Sequence, residues 1–566
     1  MGHVRWLAAV SGFLAVLAPC FGQSIVDIGG DPAEWEYYIP GQPVVLNVGG
    51  VLVWRREVAT PPTYQDRLMT DNADAVGSPS VILETGQAVG NQVGEDWVSI
   101  RGPLVTDDAE VVWFNGATTT LEGMGQVEPD GAPDLLFPQT GYVGFVAAQP
   151  DFALYFKQTG SLQGQDSLFR LNADGSSSLL IEYDDEEDYP SPVHGTGAVN
   201  VVGEVVGVVD HGTYETLRYF PGNLSGVEDV VDSRGPLPGM SGKYLEAIHW
   251  PTLDDADNTY PLIAFAGPVR VTTTQALVHS FSIWANTGED FEFRCLIKAG
   301  DAAPGFPSGA VFVDLVEEWA SEERLGLSLN RSGQIAIAAT VENSSVSLGS
   351  GVFVIDATNA TASLRVATGT QAAGLPVGYE YESVTRAWIM DNGNVVFGGT
   401  ASLDPESDLK VNGIWVVDPY GEASLIFLYG LKGGDPFFLG EHGCFRPGNA
   451  KVVWEQGGRA DGRRRAILED GRTFIRVDLV AGAGYSFAGT EAVILGEPHT
   501  PENPMADVTC DFNCDGNIDQ GDVSDLVNAI AGGPSPCCKD PDITGDGNAD
   551  GDDVTELVNR IAGSGC

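Results

Sequence analysis

"LNRSGQIAIAAT", residues 329–340, reads as a turn, a small residue and then a run of alternating β-formers. Asn, Ser and Gly punctuate the chain, and the alternation that follows has the period of two of a half-buried strand. The pattern returns at 46–57 (LNVGGVLVWRRE), 106–116 (TDDAEVVWFNG), 139–148 (QTGYVGFVAA), 199–209 (VNVVGEVVGVV), 389–400 (IMDNGNVVFGGT) and 446–457 (RPGNAKVVWEQG), with a weaker copy at 260–267 (YPLIAFAG). Its small residues are Gly50, Ala109, Gly141, Gly203, Gly333, Gly393 and Ala450. Most neighbouring copies lie about 60 residues apart; the step from 109 to 141 is short and the step across 261 is long, and such self-similarity marks a repeat architecture.

A second element follows most copies: strand, polar turn, strand. It is read at 167–183, 281–297, 351–367, 413–429 and 464–480, where Asp-Gly and Asn/Gly pairs between alternating hydrophobics favour hairpins because they tolerate positive φ. Gly/Pro loops close several units, at 233–242, 298–307 and 367–376. One unit is therefore three or four short antiparallel strands and a loop. A single such sheet cannot bury both faces, whereas sheets stacked radially can. The expectation for residues 23–500 is an all-β, β-propeller-like repeat domain of seven or eight blades, with a pair of β-sandwiches as the rival. On Asn-x-x-Gly-x-x-x-hydrophobic followed by "AGDAAPG", the chain resembles secreted bacterial proteins built from tandem Asn-x-x-Gly-x-x-Ala-Phe repeats, with "NRSGQIAI" (330–337) as the nearest copy. The resemblance implies an interchangeable C-terminal anchoring module and leaves the molecular activity undefined.

The tail carries sharper chemistry. "DFNCDGNIDQGD" (511–522) is followed 31 residues later by "DITGDGNADGDD" (542–553). A calcium loop needs hard oxygen ligands on alternate residues, a sharp Gly turn and a carboxylate at position twelve. The first loop offers Asp511, Asn513, Asp515, Asn517 through its carbonyl, Asp519 and Asp522; the second offers Asp542, Thr544, Asp546, Asn548, Asp550 and Asp553. Thr544 is the poorer third ligand, so the second of the two Ca²⁺ sites is expected to be the weaker. Each loop opens a helix with one apolar stripe, Val523, Leu526, Val527 and Ile530, then Val554, Leu557, Val558 and Ile561. Duplicated loop–helix units ending in Asp, with no helix before the first loop, are similar to a type I dockerin, and the cysteines with the terminal "GSGC" are similar to its GC-type variant. This implies a cell-surface or extracellular tether through a cohesin-like or other cell-surface protein. Loop positions ten and eleven, Gln520-Gly521 and Gly551-Asp552, depart from the Ser-Thr usual in cohesin-binding members.

Five of the eight cysteines crowd the last 57 residues, at Cys510, Cys514, Cys537, Cys538 and Cys566. Cys510–Cys566 is one expected clasp and Cys514 with Cys537 or Cys538 another, with the connectivity left open. Residues 1–22 read as a secretory signal peptide: Arg5, an apolar run from Trp6 to Ala18, then small residues. "LAPC" ending at Cys20 offers a lipoprotein signal as the alternative. Export permits disulfides. Residues 501–509 form a linker and 510–566 the calcium module.

The net charge of −50 excludes a nucleic-acid partner, since phosphate binding needs a cationic face. No transmembrane segment is expected after residue 22. No catalytic residue or other cofactor is assigned. His211 with Tyr214 and Tyr219, and His194, is the one acid–base candidate, read as a loop histidine among strand aromatics; the acidic stretch 181–190 is read as solvated. The expected function is a secreted, non-catalytic binding or display protein with a glycan or protein ligand on the propeller. The alternative is a dockerin-borne polysaccharide lyase or glycosidase.

Overall fold

The computed structural model describes most of residues 23–498 and two C-terminal segments, 520–531 and 550–563. Residues 1–22, 30–44, 182–196, 317–326, 430–436, 452–465, 482–490, 499–519, 532–549 and 564–566, with shorter loops, lie outside the description. What is described is nearly all β and propeller-like. Seven antiparallel sheets follow one another in chain order: sheet 1 (45–84), sheet 2 (97–139), sheet 3 (143–181), sheet 4 (197–232), sheet 5 (249–298), sheet 6 (311–367) and sheet 7 (380–429). Sheet 8 (437–496) gains its last strand from the other end of the chain, because Gln23–Gly29 pairs with Glu491–Gly496. A three-stranded side sheet (Lys243–Leu245, Val269–Val271, Leu277–His279) interleaves with sheet 5 and accounts for the long step across 261.

The repeat has a local cause. Gly333, Gly393 and Gly203 have φ of 74°, 84° and 84°, the left-handed region that glycine enters without steric cost. Each closes the turn between the first and second strands of its sheet. The Gly333 amide donates to Asn330 O at 2.9 Å, and the Asn330 amide donates to Gln334 O at 3.0 Å. The Asn330 side chain makes the turn an inter-sheet joint. Its Oδ1 accepts the amides of Ser332 and Gln334, and its Nδ2 donates to Met390 O at 3.0 Å, on the corresponding turn of sheet 7. Asn330→Ala removes these bonds and leaves buried partners unsatisfied, so a loss of about 2 kcal/mol is expected in denaturant unfolding.

Two copies of the motif fall elsewhere than the sequence suggests. Residues 143–148 belong to the first strand of sheet 3 (Val143–Gln149), whose turn is the tight one before Phe152, and this produces the short interval from 109 to 141. Residues 446–451 belong to the strand Cys444–Lys451 of sheet 8, which pairs with the edge strand Phe437–Phe438 on one side and turns at Leu468–Arg472, around Gly471 at φ 89°, on the other. That turn continues the joint, since the Asp391 amide donates to Glu469 Oε2 at 2.9 Å.

The sheets pack face to face through apolar clusters. One cluster joins Leu52 and Trp54 of sheet 1 with Trp388 and Ile414 of sheet 7 and with Phe474, Ile475 and Leu495 of sheet 8. Four of the scarce cations bridge successive sheets, each donating to backbone carbonyls of a neighbouring turn. Arg170 reaches Gly222, Arg294 reaches Ala357 and Thr358, Arg365 reaches Pro419, and Arg472 reaches Ala73. Sheets 1 and 2 are locked differently. Arg55 and Asp66 pair at 2.5 Å with side chains only 5% and 11% exposed, and Asp66 Oδ2 accepts the Ile100 amide of sheet 2 at 3.1 Å. Breaking a buried pair strands its partner, so Arg55→Ala is expected to cost about 3 kcal/mol in denaturant unfolding, more than Arg55→Ala combined with Asp66→Ala costs relative to either single change.

Candidate functional site

The first strands of consecutive sheets are neighbours from sheet 1 through sheet 7. Among the described residues, the first strands of sheets 2, 3, 5 and 7 shift register at a comparable level. In sheet 7 the break falls between Thr385↔Gly398 and Ala387↔Phe397, a bulge holding Arg386. In sheet 5 it falls between His249↔Ala266 and Thr252↔Ala264, holding Trp250 and Pro251. Sheet 2 breaks between Arg101↔Asn115 and Leu104↔Trp113, and sheet 3 between Phe145↔Tyr155 and Ala147↔Leu154.

In sheet 6 the described pairing runs to Val316, bonded to Ala338, and is found again at Ser328↔Ala336; in sheet 8 it runs to Lys451↔Arg476 and is found again at Ala466, bonded to Phe474; residues 317–326 and 452–465 lie outside the described residues. Ile337, Phe397 and Ile475, buried residues of sheets 6, 7 and 8 at this level, each lie four positions past the turn glycine. Bulges re-aim side chains and gather at rims and binding sites, so a common level of interruption marks a built feature.

Two residues at that level carry backbone strain. Trp250 has φ 52° and Arg386 φ 41°, while the other described non-glycine residues with positive φ (Leu224, Gln275, Ser344, Ser345 and Ala360) lie in connections between strands. Trp250 is half-buried against the apolar cluster of sheets 5 and 6, and its ring centroid is 5.6 Å from that of exposed His249. Although part of His249 reaches solvent, desolvation by the atoms packed around its ring lowers its pKa below the ordinary imidazole value and outweighs the attraction of Glu246, so the ring is neutral at pH 7. Sequence reading passed over both residues, because a Trp and an Arg in strands carry no mark until the register shows that they are extra.

The acid–base candidate dissolves into separate contacts. His211 Nε2 lies 3.1 Å from Thr216 Oγ1, and its ring stacks on Tyr214 at 4.4 Å. The Tyr219 hydroxyl instead donates to Glu204 Oε1 at 2.5 Å, and burial followed by that carboxylate raises the Tyr219 pKa. His194 and residues 182–190 lie outside the described residues. Cys295 is a free thiol pushed up to about 12 by burial, which leaves it protonated and inert.

Of the twelve candidate calcium ligands, Asp522, Asp550 and Asp553 are described; Asp511, Asn513, Asp515, Asn517, Asp519, Asp542, Thr544, Asp546 and Asn548 lie outside, as do Cys510, Cys514, Cys537, Cys538 and Cys566. Helices α1 (Gln520–Ile530) and α2 (Gly551–Gly563) pack on each other. Asp522 and Asp553, 0% and 1% exposed, occupy the same place in the two first turns, and Leu526 and Leu557 are the matching buried apolar residues. Asp553 Oδ2 accepts the Asp550 amide at 2.7 Å. Carboxylates this deep at the position-twelve sites are the hard, fixed donors that a calcium ion requires, so the described residues fit the ion. Val527 and Val558 repeat too, 48% and 43% exposed, at variance with a stripe buried along its whole length. Among the described residues no helix is long and apolar enough to cross a membrane.

Comparison with known proteins gives a limited picture. Residues 190–365 match the model of a Family of unknown function (DUF7453), a span running through sheets 4 and 5 and most of sheet 6. No curated protein matches the chain. Among solved structures it is similar to a puromycin-hydrolyzing peptidase of Mycobacterium tuberculosis, with 12% identity, 78% of this chain and 61% of that one covered, and a TM-score of 0.36. It is similar to the β-propeller domain of the Trilobed protease from Pyrococcus furiosus, with 8% identity, coverage of 69% and 96%, and a TM-score of 0.34. It is also similar to an oligogalacturonate lyase from Vibrio parahaemolyticus, with 11% identity, coverage of 71% and 92%, and a TM-score of 0.32. The chain thus spans about six-tenths of the length of the first of these, and the likeness concerns architecture alone.

Proposed function

We propose that the protein is a secreted, non-catalytic binding or display protein. Its eight sheets close into an eight-bladed ring, and its C-terminal module, holding two calcium ions in a dockerin-like manner, tethers the ring to a cohesin-like or other cell-surface partner. Ring closure is supported by the bond from Arg472 in sheet 8 to Ala73 in sheet 1, which is of the same kind as the joints between other successive sheets. It is supported also by the cluster shared between sheets 7, 8 and 1.

The observation that carries the tether is the pair of buried aspartates, Asp522 and Asp553, each followed four residues later by a buried leucine, 31 residues apart. The coincidence supports a repeated loop–helix unit. The Asp side chains with Asn513 or Thr544 and the backbone carbonyl of Asn517 or Asn548 would hold each ion, whose charge offsets part of the module's net −11, thirteen acids against Lys539 and Arg560 over residues 507–566. Calorimetric titration of the secreted chain with calcium, followed by circular dichroism, is expected to show two bound ions and a gain of helix that EDTA reverses. A chain indifferent to calcium overturns the tether, and cleavage of a polysaccharide by the purified protein overturns the non-catalytic reading in favour of a dockerin-borne glycan-degrading enzyme.

A further inference from the structure

We infer that the level at which the first strands break is a saccharide-binding site, with Trp250 as its stacking platform and Arg386 and His249 as its hydrogen-bonding groups. The inference deepens the binding reading above and rests on its ring, whose centre the first strands line.

Strain singles out the residues. A left-handed tryptophan and a left-handed arginine inside strands each cost stability and persist only where the surroundings impose them; such outliers cluster at ligand sites. Both occur at one level, on first strands that flank the first strand of sheet 6. The other residues of the kind are accounted for by turns.

Chemistry narrows the ligand. The indole is braced on one side by the core of sheets 5 and 6 yet only half-buried, the arrangement of an aromatic face offered to the C–H face of a pyranose. Arg386 presents a planar fork of donors suited to vicinal hydroxyls or a carboxylate. His249, neutral at pH 7, can both donate to and accept from a hydroxyl. A peptide adding as a strand would need a regular edge, and the bulges break that edge in sheet after sheet. Nucleic acid is excluded by the net charge of −50. A sugar chain of neutral or uronate type shares all the required groups.

The test uses the full secreted chain with calcium present, titrated calorimetrically with hexasaccharides of xylose, of mannose and of galacturonate. The unaltered protein is expected to bind at least one of them. Trp250→Gly and Arg386→Gly place at each strained position the one residue at ease there. Each is therefore expected to weaken binding by about tenfold or more while the thermal midpoint stays level or rises. A loss at Arg386 confined to the galacturonate series identifies a uronate ligand, and an equal loss across series identifies a neutral one. Absence of binding to all three, unchanged binding in both variants, or binding lost only together with a lower thermal midpoint in both, overturns the site. Calcium binding read on the same samples separates the proposals: a calcium-responsive tail with no sugar binding sinks the site alone, and sugar binding without a calcium response sinks the tether alone.

Discussion

Asp553→Ala is expected to reduce bound calcium from two ions to one and to melt both C-terminal helices at ambient temperature, leaving the thermal transition of the β domain where it was. Three features make the effect large. On the proposed calcium assignment the carboxylate holds position twelve of a loop whose third ligand would be a threonine, so little donor strength remains once it is gone; the affinity there should fall on the order of 100-fold. Its Oδ2 also accepts the Asp550 amide and so ties the loop to the first turn of α2. Finally, α1 and α2 share a core of Leu526 and Leu557 with half-buried Val523 and Val554, which is too small to hold 11 and 13 helical residues without the metal. With one ion lost, the module's net −11 is offset by two charges rather than four, and the remaining loop helix loses its packing partner. The matching change in the first loop, Asp522→Ala, is expected to remove the tighter ion and give the same loss of helix. Far-UV circular dichroism and limited proteolysis of the tail read the outcome. Two ions still bound by Asp553→Ala would sink the assignment of this residue.

The contrast between what the sequence disclosed and what it hid follows the range of the forces involved. The turn glycines were legible because the constraint is local: only glycine takes φ near 80° without cost, so Gly203, Gly333 and Gly393 mark their turns whatever lies around them. Leu468 has no side-chain amide to cap its turn as Asn330 does, so the sheet 8 turn lost half of its signature while Gly471 kept the other half. The doubled helices were legible because the 31-residue offset repeats both ligand chemistry and apolar period. The level of interruption was not legible at all. Its occupants are as unlike as Val146, Gly102-Pro103, Trp250-Pro251 and Arg386, and what they have in common is a register, which exists only once two strands are paired. Arg472 was hidden for a related reason, since its partner Ala73 lies 399 residues away and no periodicity joins them.

Removing Gln23–Gly29 is expected to be the most damaging small change to the β domain, although the segment lies far in sequence from the strand it completes. The strand pairs with Glu491–Gly496 along nearly its whole length, from Gln23↔Gly496 to Gly29↔Glu491. Without it, the backbone groups of that strand along one edge lose their partners. At about 1 kcal/mol for each net hydrogen bond, the loss amounts to several kcal/mol. The damage falls on the seam between sheets 8 and 1. There, Trp54 meets Phe474 edge-to-face at 6.0 Å, Arg472 pairs with Asp74 at 2.8 Å, and Ile494 and Leu495 are fully buried in the cluster that also holds sheet 7. In the proposed ring, opening one seam exposes two apolar faces at once, whereas a change inside any single sheet exposes less. The shortened chain is therefore expected to unfold roughly 10 °C lower or more, and to associate through the bare edge of Glu491–Gly496, as unprotected edge strands do. Calorimetry and size-exclusion chromatography decide it. Adding a synthetic peptide of residues 23–29 should restore both the midpoint and the monomer, because the missing strand contributes through backbone pairing that a detached strand can make. A shortened chain that melts with the intact one and stays monomeric would show that the ring is held without its N-terminal strand, and would move the closing contact to Arg472 and the shared cluster alone.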